Sequence, residues 1–356
     1  MKRSIFSLFV ISAVLMLTAV DCHHTDPVID PTEITLTYGG YFLNAGMPGR
    51  NDAEITQLNT LQSTVTPRAY AMFNDGKSFG DSGSDIHILG DNLFAALPGS
   101  KLIRVLNKYS GKEVGTISVQ DESGSTLTPG YLTSFENTLI VSFREGYVAR
   151  IDNASLKLSL LQEVGGTPGR IAVANQKLYL TDGESTLLML NPVDLHVMKS
   201  VEVAPGAGSM AVNPSDEDLY LISAGDEATE ACLQRIDTDN EEVTLVQDVK
   251  APVLLAAGGD KALILYTKDA TDDLGGRVVV FNTDNQRIEG EFIRDGSFVR
   301  NPCLIAIDAN AGNVYIGESP ENTYGTVYIY TSFGQYLTSF NTGAARPCAA
   351  AFVTGN

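Results

Sequence analysis

Between Thr167 and Val203 the chain writes four short runs of apolar or β-branched residues: T-P-G-R-I-A-V-A, Q-K-L-Y-L-T, S-T-L-L-M-L-N and H-V-M-K-S-V-E-V. Asn175-Gln176, Asp182-Gly183 and Asn191-Pro192 separate them, and Pro168-Gly169 opens the series. Each run is too short for a helix and is bounded by turn chemistry, so the pattern predicts four antiparallel strands. Four strands in about forty residues is the size of one β-propeller blade. A single blade has two apolar faces and nothing to cover them, so it requires neighbours of the same kind.

Those neighbours are present. Earlier copies begin at Tyr38-Gly39-Gly40, at Ser84-Asp85-Ile86 and at Thr128-Pro129-Gly130-Tyr131, and later ones at Ala204-Pro205, Ala251-Pro252 and Asn301-Pro302. A proline recurs at 129, 168, 205, 252, 302 and 347. This long-period repetition favours a propeller over a sandwich, whose strands carry no such superperiod. The last copy, Arg346 to Val353, has room for one strand, whereas the first has only three and no proline phrase before it. The expectation is an all-β, seven-bladed β-propeller over residues 35–356, its ring closed by the C-terminal strand completing blade one.

Ahead of the repeats lie Lys2 and Arg3 and then an apolar run from Ile5 to Val20, the pattern of a secretory signal peptide over residues 1–21. Cys22 follows directly and reads as a lipidation site, with residues 22–34 as a polar tether. Such a chain is expected in the cell envelope, lipid-anchored to the outer membrane and surface-exposed. The formal net charge of −19 argues against binding nucleic acid or an anionic membrane surface directly.

Catalytic constellations are scarce. Of four histidines two (His23 and His24) fall in the tether, which leaves His87 and His196 and rules out a multi-imidazole zinc site. No G-x-S-x-G elbow is available to carry a hydrolase serine. His87 alternates with Ile86 and Ile88 and reads as structural, and His196 as solvent-facing. The acidic groups Asp226-Glu227 with Glu230, and Asp269 with Asp272-Asp273, read as solvated loops, although hard-oxygen calcium ligation would use the same residues. Cys303 and Cys348 follow equivalent repeat prolines on adjacent inner strands, either as two buried thiols or as a closing disulfide.

Function on a rigid scaffold concentrates in long loops. The loops joining the second and third strands open on the same face as those leading into each inner strand. They are longer in blades one, five, six and seven than in blades three and four. The first set supplies Asn44, Arg50, Arg144, Asp182, Asp226, Lys268, Glu318 and Tyr324, together with Asp269 and Asn322. The lead-in loops add Phe79, Tyr131, Arg170, Phe298 and Arg300. These are the expected ligand-binding residues; no catalytic residue and no metal ligand is assigned.

The phrase T-P-G-R-I-A-V-A-x-x-K-L-Y-L-T-D-G resembles the YncE-like, surface-layer type of seven-bladed propeller repeat. The opening G-G-Y-F-L-N-A-G, the signal segment and Cys22 are similar to those of the propeller lipoproteins of Bacteroides-type bacteria, including the BtuG group. The resemblance implies a non-enzymatic surface lipoprotein that captures cobalamin (a corrinoid) as bound ligand and delivers it to an outer-membrane TonB-dependent transporter. A corrinoid is a flat apolar ring edged with neutral amides, which amide, carboxylate and aromatic side chains can grip. A sugar platform would ordinarily use Trp, and the chain has none. Two other readings remain: a carboxylate-metal hydrolase of the lactonase type, and a scaffold for another protein.

Overall fold

In the computed structural model of the protein, which describes residues 35–258, 262–268, 275–321 and 323–355, the chain forms seven four-stranded antiparallel sheets. Blade one runs from the axis outward as Pro347–Gly355, Leu36–Asn44, Glu54–Asn59 and Thr64–Thr66. The C-terminal strand pairs with the first from Leu36 opposite Gly355 to Asn44 opposite Pro347. The inner strands touch one another around the ring, and Pro347–Gly355 closes it by packing against both Asp85–Leu89 and Pro302–Asp308. The fold is therefore a seven-bladed β-propeller, closed as the repeat count requires. The expectations for residues 1–34, including Cys22, fall outside the described residues, as do Asp269, Asp272, Asp273 and Asn322.

The reason for the ring lies in the side-chain period of a strand. In Leu219–Ser223, Leu219 and Leu221 face blade four and join Tyr179, Leu187 and Ile236, while Tyr220 and Ile222 face blade six and join Leu255, Leu265 and Phe281. Middle strands are thus apolar on both faces, which is why they read as continuous runs and not as alternations. Apolar clusters fill each of the spaces between successive blades, the last one joining Phe42 of blade one to Leu304, Tyr315 and Val327 of blade seven. Outer strands are polar, as in Val197–Glu202, where only Val201 is buried. The Asn175-Gln176 turn has both residues at positive φ (44° and 59°), the geometry that joins tightly paired strands.

One element was not legible in the repeat. A short helix, Ala69–Phe73, lies between blades one and two with Ala69 and Tyr70 buried. Its first residues have no local cap: Arg68 is left-handed and offers no side-chain bond. Glu54 does this from the neighbouring strand, accepting from the N–H groups of Tyr70 (3.1 Å) and Ala71 (3.4 Å). Burial nevertheless raises the Glu54 pKa above its ordinary value, against the pull of its N–H partners and of Arg68.

Candidate functional site

A cavity of about 1280 Å³ opens on the face where the second-to-third and lead-in loops converge. It is set off-centre, over blades seven, one and two. Residues 45–53 of blade one build one wall, and their shape is fixed by backbone chemistry. Asp52 accepts from the Met47 N–H at 2.7 Å, and Gly46 turns at φ 71°, where an added Cβ would strike that carboxylate. The loop is then stitched to the lead-in of blade two: Gly49 donates to Asp81 at 2.9 Å, Ala53 donates to the Gly80 carbonyl at 3.0 Å, and the Ser78 hydroxyl donates to the Asn51 carbonyl at 3.0 Å. The opposite wall joins residues 319–321 and 323–325 of blade seven to the segment before the closing strand, with Arg346 N–H donating to Ser319 Oγ at 3.0 Å and Gly325 N–H to the Ala344 carbonyl at 2.8 Å.

The floor is built from inner strands and contains Gly83, Ser84, Tyr131, Arg170, Cys303, Pro347 and Cys348. Arg170 lies over the Tyr131 ring, its guanidinium carbon 4.2 Å from the centroid, a cation–π contact that fixes both side chains. Asp85, at the start of the blade-two inner strand, is half-buried. Burial raises its pKa, offset by Arg170 and by N–H bonds from Leu132 and Ile86 (both 2.9 Å). Cys303 and Cys348 are free thiols. Cys303 donates to the Pro347 carbonyl at 3.1 Å and Cys348 to the Leu43 carbonyl at 3.5 Å, and burial pushes the two thiols up to about 11 and about 12.

Five of the residues expected to contact ligand line this cavity: Arg50, Phe79, Tyr131, Arg170 and Tyr324. Phe79 does so from below, its ring packed 4.9 Å from that of Tyr70 and only 1% exposed. Asn44 is buried in the framework, where its amide donates to the carbonyls of Phe42 and Glu54 and to Thr56 Oγ1. Asp182 and Asp226 cap their own turns, Asp182 accepting from Glu184 and Thr186 and Asp226 from Ala228 and Thr229. Those N–H bonds, with Ala228 foremost, hold the Asp226 carboxyl below its ordinary value. Glu318 accepts from Arg300 N–H at 3.1 Å and from the Tyr328 hydroxyl at 2.8 Å, tying the blade-seven lead-in to its neighbouring loop. Arg300 and Phe298 pair at 5.9 Å, and Arg144 and Lys268 are exposed; none of these lines the cavity.

The long loop of blade five stays outside the cavity, while the lead-in to blade two, from which the sequence singled out Phe79 alone, forms a wall. Arg68 and Lys77, in that lead-in, and Arg346, just before the closing strand, were missed as ordinary connecting residues. A positional signal was available, since each lies in a segment feeding an inner strand on the open face. Among the described residues, no group of three or more His, Cys, Asp and Glu is placed to hold a metal ion.

His196 is exposed, while His87 faces blade three and pairs with Ser134 Oγ at 2.9 Å. Burial depresses its pKa to about 4. The unfolded chain takes up this proton near pH 6.5, whereas the folded protein resists until about pH 4, so protonation favours unfolding. The contribution of neutral His87 is therefore fully present above pH 6.5, and up to about 3 kcal/mol of it is lost as pH falls to 4. His87→Gln should flatten the pH dependence of urea unfolding over that interval; parallel profiles for the two proteins would refute the assignment.

No family model and no curated protein matches the sequence. Solved structures match it in fold. A protein from Lactobacillus plantarum aligns with a TM-score of 0.56 at 13% identity, over 89% of this chain and 100% of that one. The computationally designed Ika8 protein aligns at 0.58 and 12%, over 86% and 89%. Hydrazine synthase from Kuenenia stuttgartiensis aligns at 0.57 and 15%, over 69% and 76%. At such identities the likeness is one of architecture.

Proposed function

We propose that the protein is a non-enzymatic surface binder that captures a corrinoid, cobalamin in particular, in the cavity over blades seven, one and two. The observation that carries this reading is the cavity's size and asymmetry. At about 1280 Å³ it exceeds the roughly 300–1,000 Å³ of ordinary small-molecule pockets, which suits a bulky ligand. Tyr324, half exposed on the rim, and Tyr131 on the floor offer apolar faces to a flat ring, and backbone and side-chain amides of the 45–53 loop offer partners to its edge. The YncE-like and BtuG-type resemblance, the lipidation at Cys22 and delivery to an outer-membrane TonB-dependent transporter form part of the same proposal.

Isothermal titration of the full chain with cyanocobalamin tests it. Saturable one-to-one binding at micromolar protein is expected, weakened at least tenfold by Tyr324→Ala combined with Tyr131→Ala. Absence of any binding heat at several temperatures would reject the corrinoid assignment.

A further inference from the structure

The cavity's charge is opposite to that of the chain around it. The protein carries 24 Lys and Arg against 43 Asp and Glu. Yet five cations line this one cavity (Arg50, Arg68, Lys77, Arg170 and Arg346) against three carboxylates, those of Asp52, Glu54 and Glu321. Two of those carboxylates are committed to backbone: Asp52 accepts from Met47, and Glu54 accepts from Ile55, Tyr70 and Ala71. Only Glu321, exposed on the rim, faces the cavity without a described hydrogen-bond partner.

The cations divide by depth. Arg170 is engaged with Tyr131 and Asp85 in the floor. Arg50, Arg68, Lys77 and Arg346 stand exposed around the mouth, and none of the four is within 4.0 Å of a carboxylate in a described ion pair. Elsewhere on the surface Lys177 and Lys199 share Glu241. Arg68 has Glu54 nearby to attract it, but folding gives no such reason to gather Arg50, Lys77 and Arg346 at the same concave opening, since each like charge raises the electrostatic energy of the others. An acidic protein repels anions in general. A local positive funnel reverses that field where it is wanted and concentrates an anion at the mouth.

We infer that the cavity recognises an anionic group, a carboxylate or a phosphate ester, and that Arg50, Arg68, Lys77 and Arg346 are the residues that receive it. The guanidinium groups can each present two parallel donors to such a group, and Lys77 adds a point charge. A small anion fits the concavity better than an acidic protein surface does, because the cations line the walls of a depression and do not cap a flat face. The inference rests on the same cavity as the functional proposal but does not depend on the ligand being a corrinoid.

The test is titration of the full chain with pyrophosphate and with citrate at low ionic strength, against sodium chloride at matched ionic strength. One or both anions should bind and raise the melting temperature above the chloride control. The response to pyrophosphate alone assigns a phosphate ester, and to citrate alone a carboxylate. The triple variant Arg50→Gln, Lys77→Gln, Arg346→Gln should melt normally without anion yet bind at least tenfold more weakly, while Lys157→Gln, on the exposed outer hairpin of blade three, should bind as the parent does. Anions no better than chloride, or equal binding by the triple variant, would overturn the inference, and binding only to acidic polypeptide would transfer the surface to a protein partner. Pyrophosphate binding without cyanocobalamin binding removes the corrinoid reading and leaves this one standing. Cyanocobalamin binding with no response to either anion beyond that to chloride does the reverse.

Discussion

A chain stopped after Ala345 is expected to lose the folded state altogether. The missing segment is the inner strand of blade one, whose ladder with Leu36–Asn44 extends from Gly355 to Pro347. Without it that strand exposes an unpaired edge at the axis, and both neighbours of the closing strand, Asp85–Leu89 and Pro302–Asp308, lose a packing partner. The lost backbone bonds contribute about 1 kcal/mol each, and the apolar contacts of Ala349 and Val353 add several more. A deficit on the order of 10 kcal/mol equals the whole stability of an ordinary domain. Size-exclusion chromatography should report aggregate or an expanded chain, and the cooperative thermal transition should vanish. A monomer melting within a few degrees of the parent would mean the ring holds without its closure.

Phe42→Ala should cost about 3–5 kcal/mol. The ring is 0% exposed and bridges blades one and seven, with centroids 5.3 Å from Tyr315, 5.2 Å from Phe340 and 6.3 Å from Phe352. Its removal leaves a cavity in the cluster that joins the two ends of the chain, where the edge-to-face contacts go with it. Phe333→Ala, at a ring 76% exposed in a blade-seven turn, should change stability by less than about 0.5 kcal/mol. Urea unfolding of the pair decides the matter, and equal midpoints would show that the seam between the chain ends is not where stability resides.

The legibility of this protein differed by level. Blade four was readable in full, because strands buried on both faces need apolar residues throughout and their turns need Asn, Gly or Pro. Closure was readable from arithmetic: a lone strand at one end and a three-stranded remnant at the other have a single joint solution. Residues 67–84 were harder. Glu54 caps the helix Ala69–Phe73 from a different strand, a contact with no signature in local sequence. Eight of the thirteen described residues expected to bind ligand stay outside the cavity for a similar reason. Asp182 and Asp226 are polar loop residues, and even a turn signal such as Asp182-Gly183 does not say whether the carboxylate reaches into a cavity or turns back onto the N–H groups of its own turn, as both do.

Sequence by itself determined the repeat, the number of blades, the strand order within each and the way the ring closes, since these follow from short-range periodicity and from counting. Only the tertiary structure decided which blades surround the cavity. Arg50, Lys77, Arg170 and Arg346 are separated by long stretches of chain and come together because the ring brings blades one, two and four and the closing segment around one axis. Loop length marked four blades as equivalent candidates. The cross-loop bonds from Gly49 to Asp81 and from Arg346 to Ser319 raise walls over blades seven, one and two, and these long-range contacts place the cavity there.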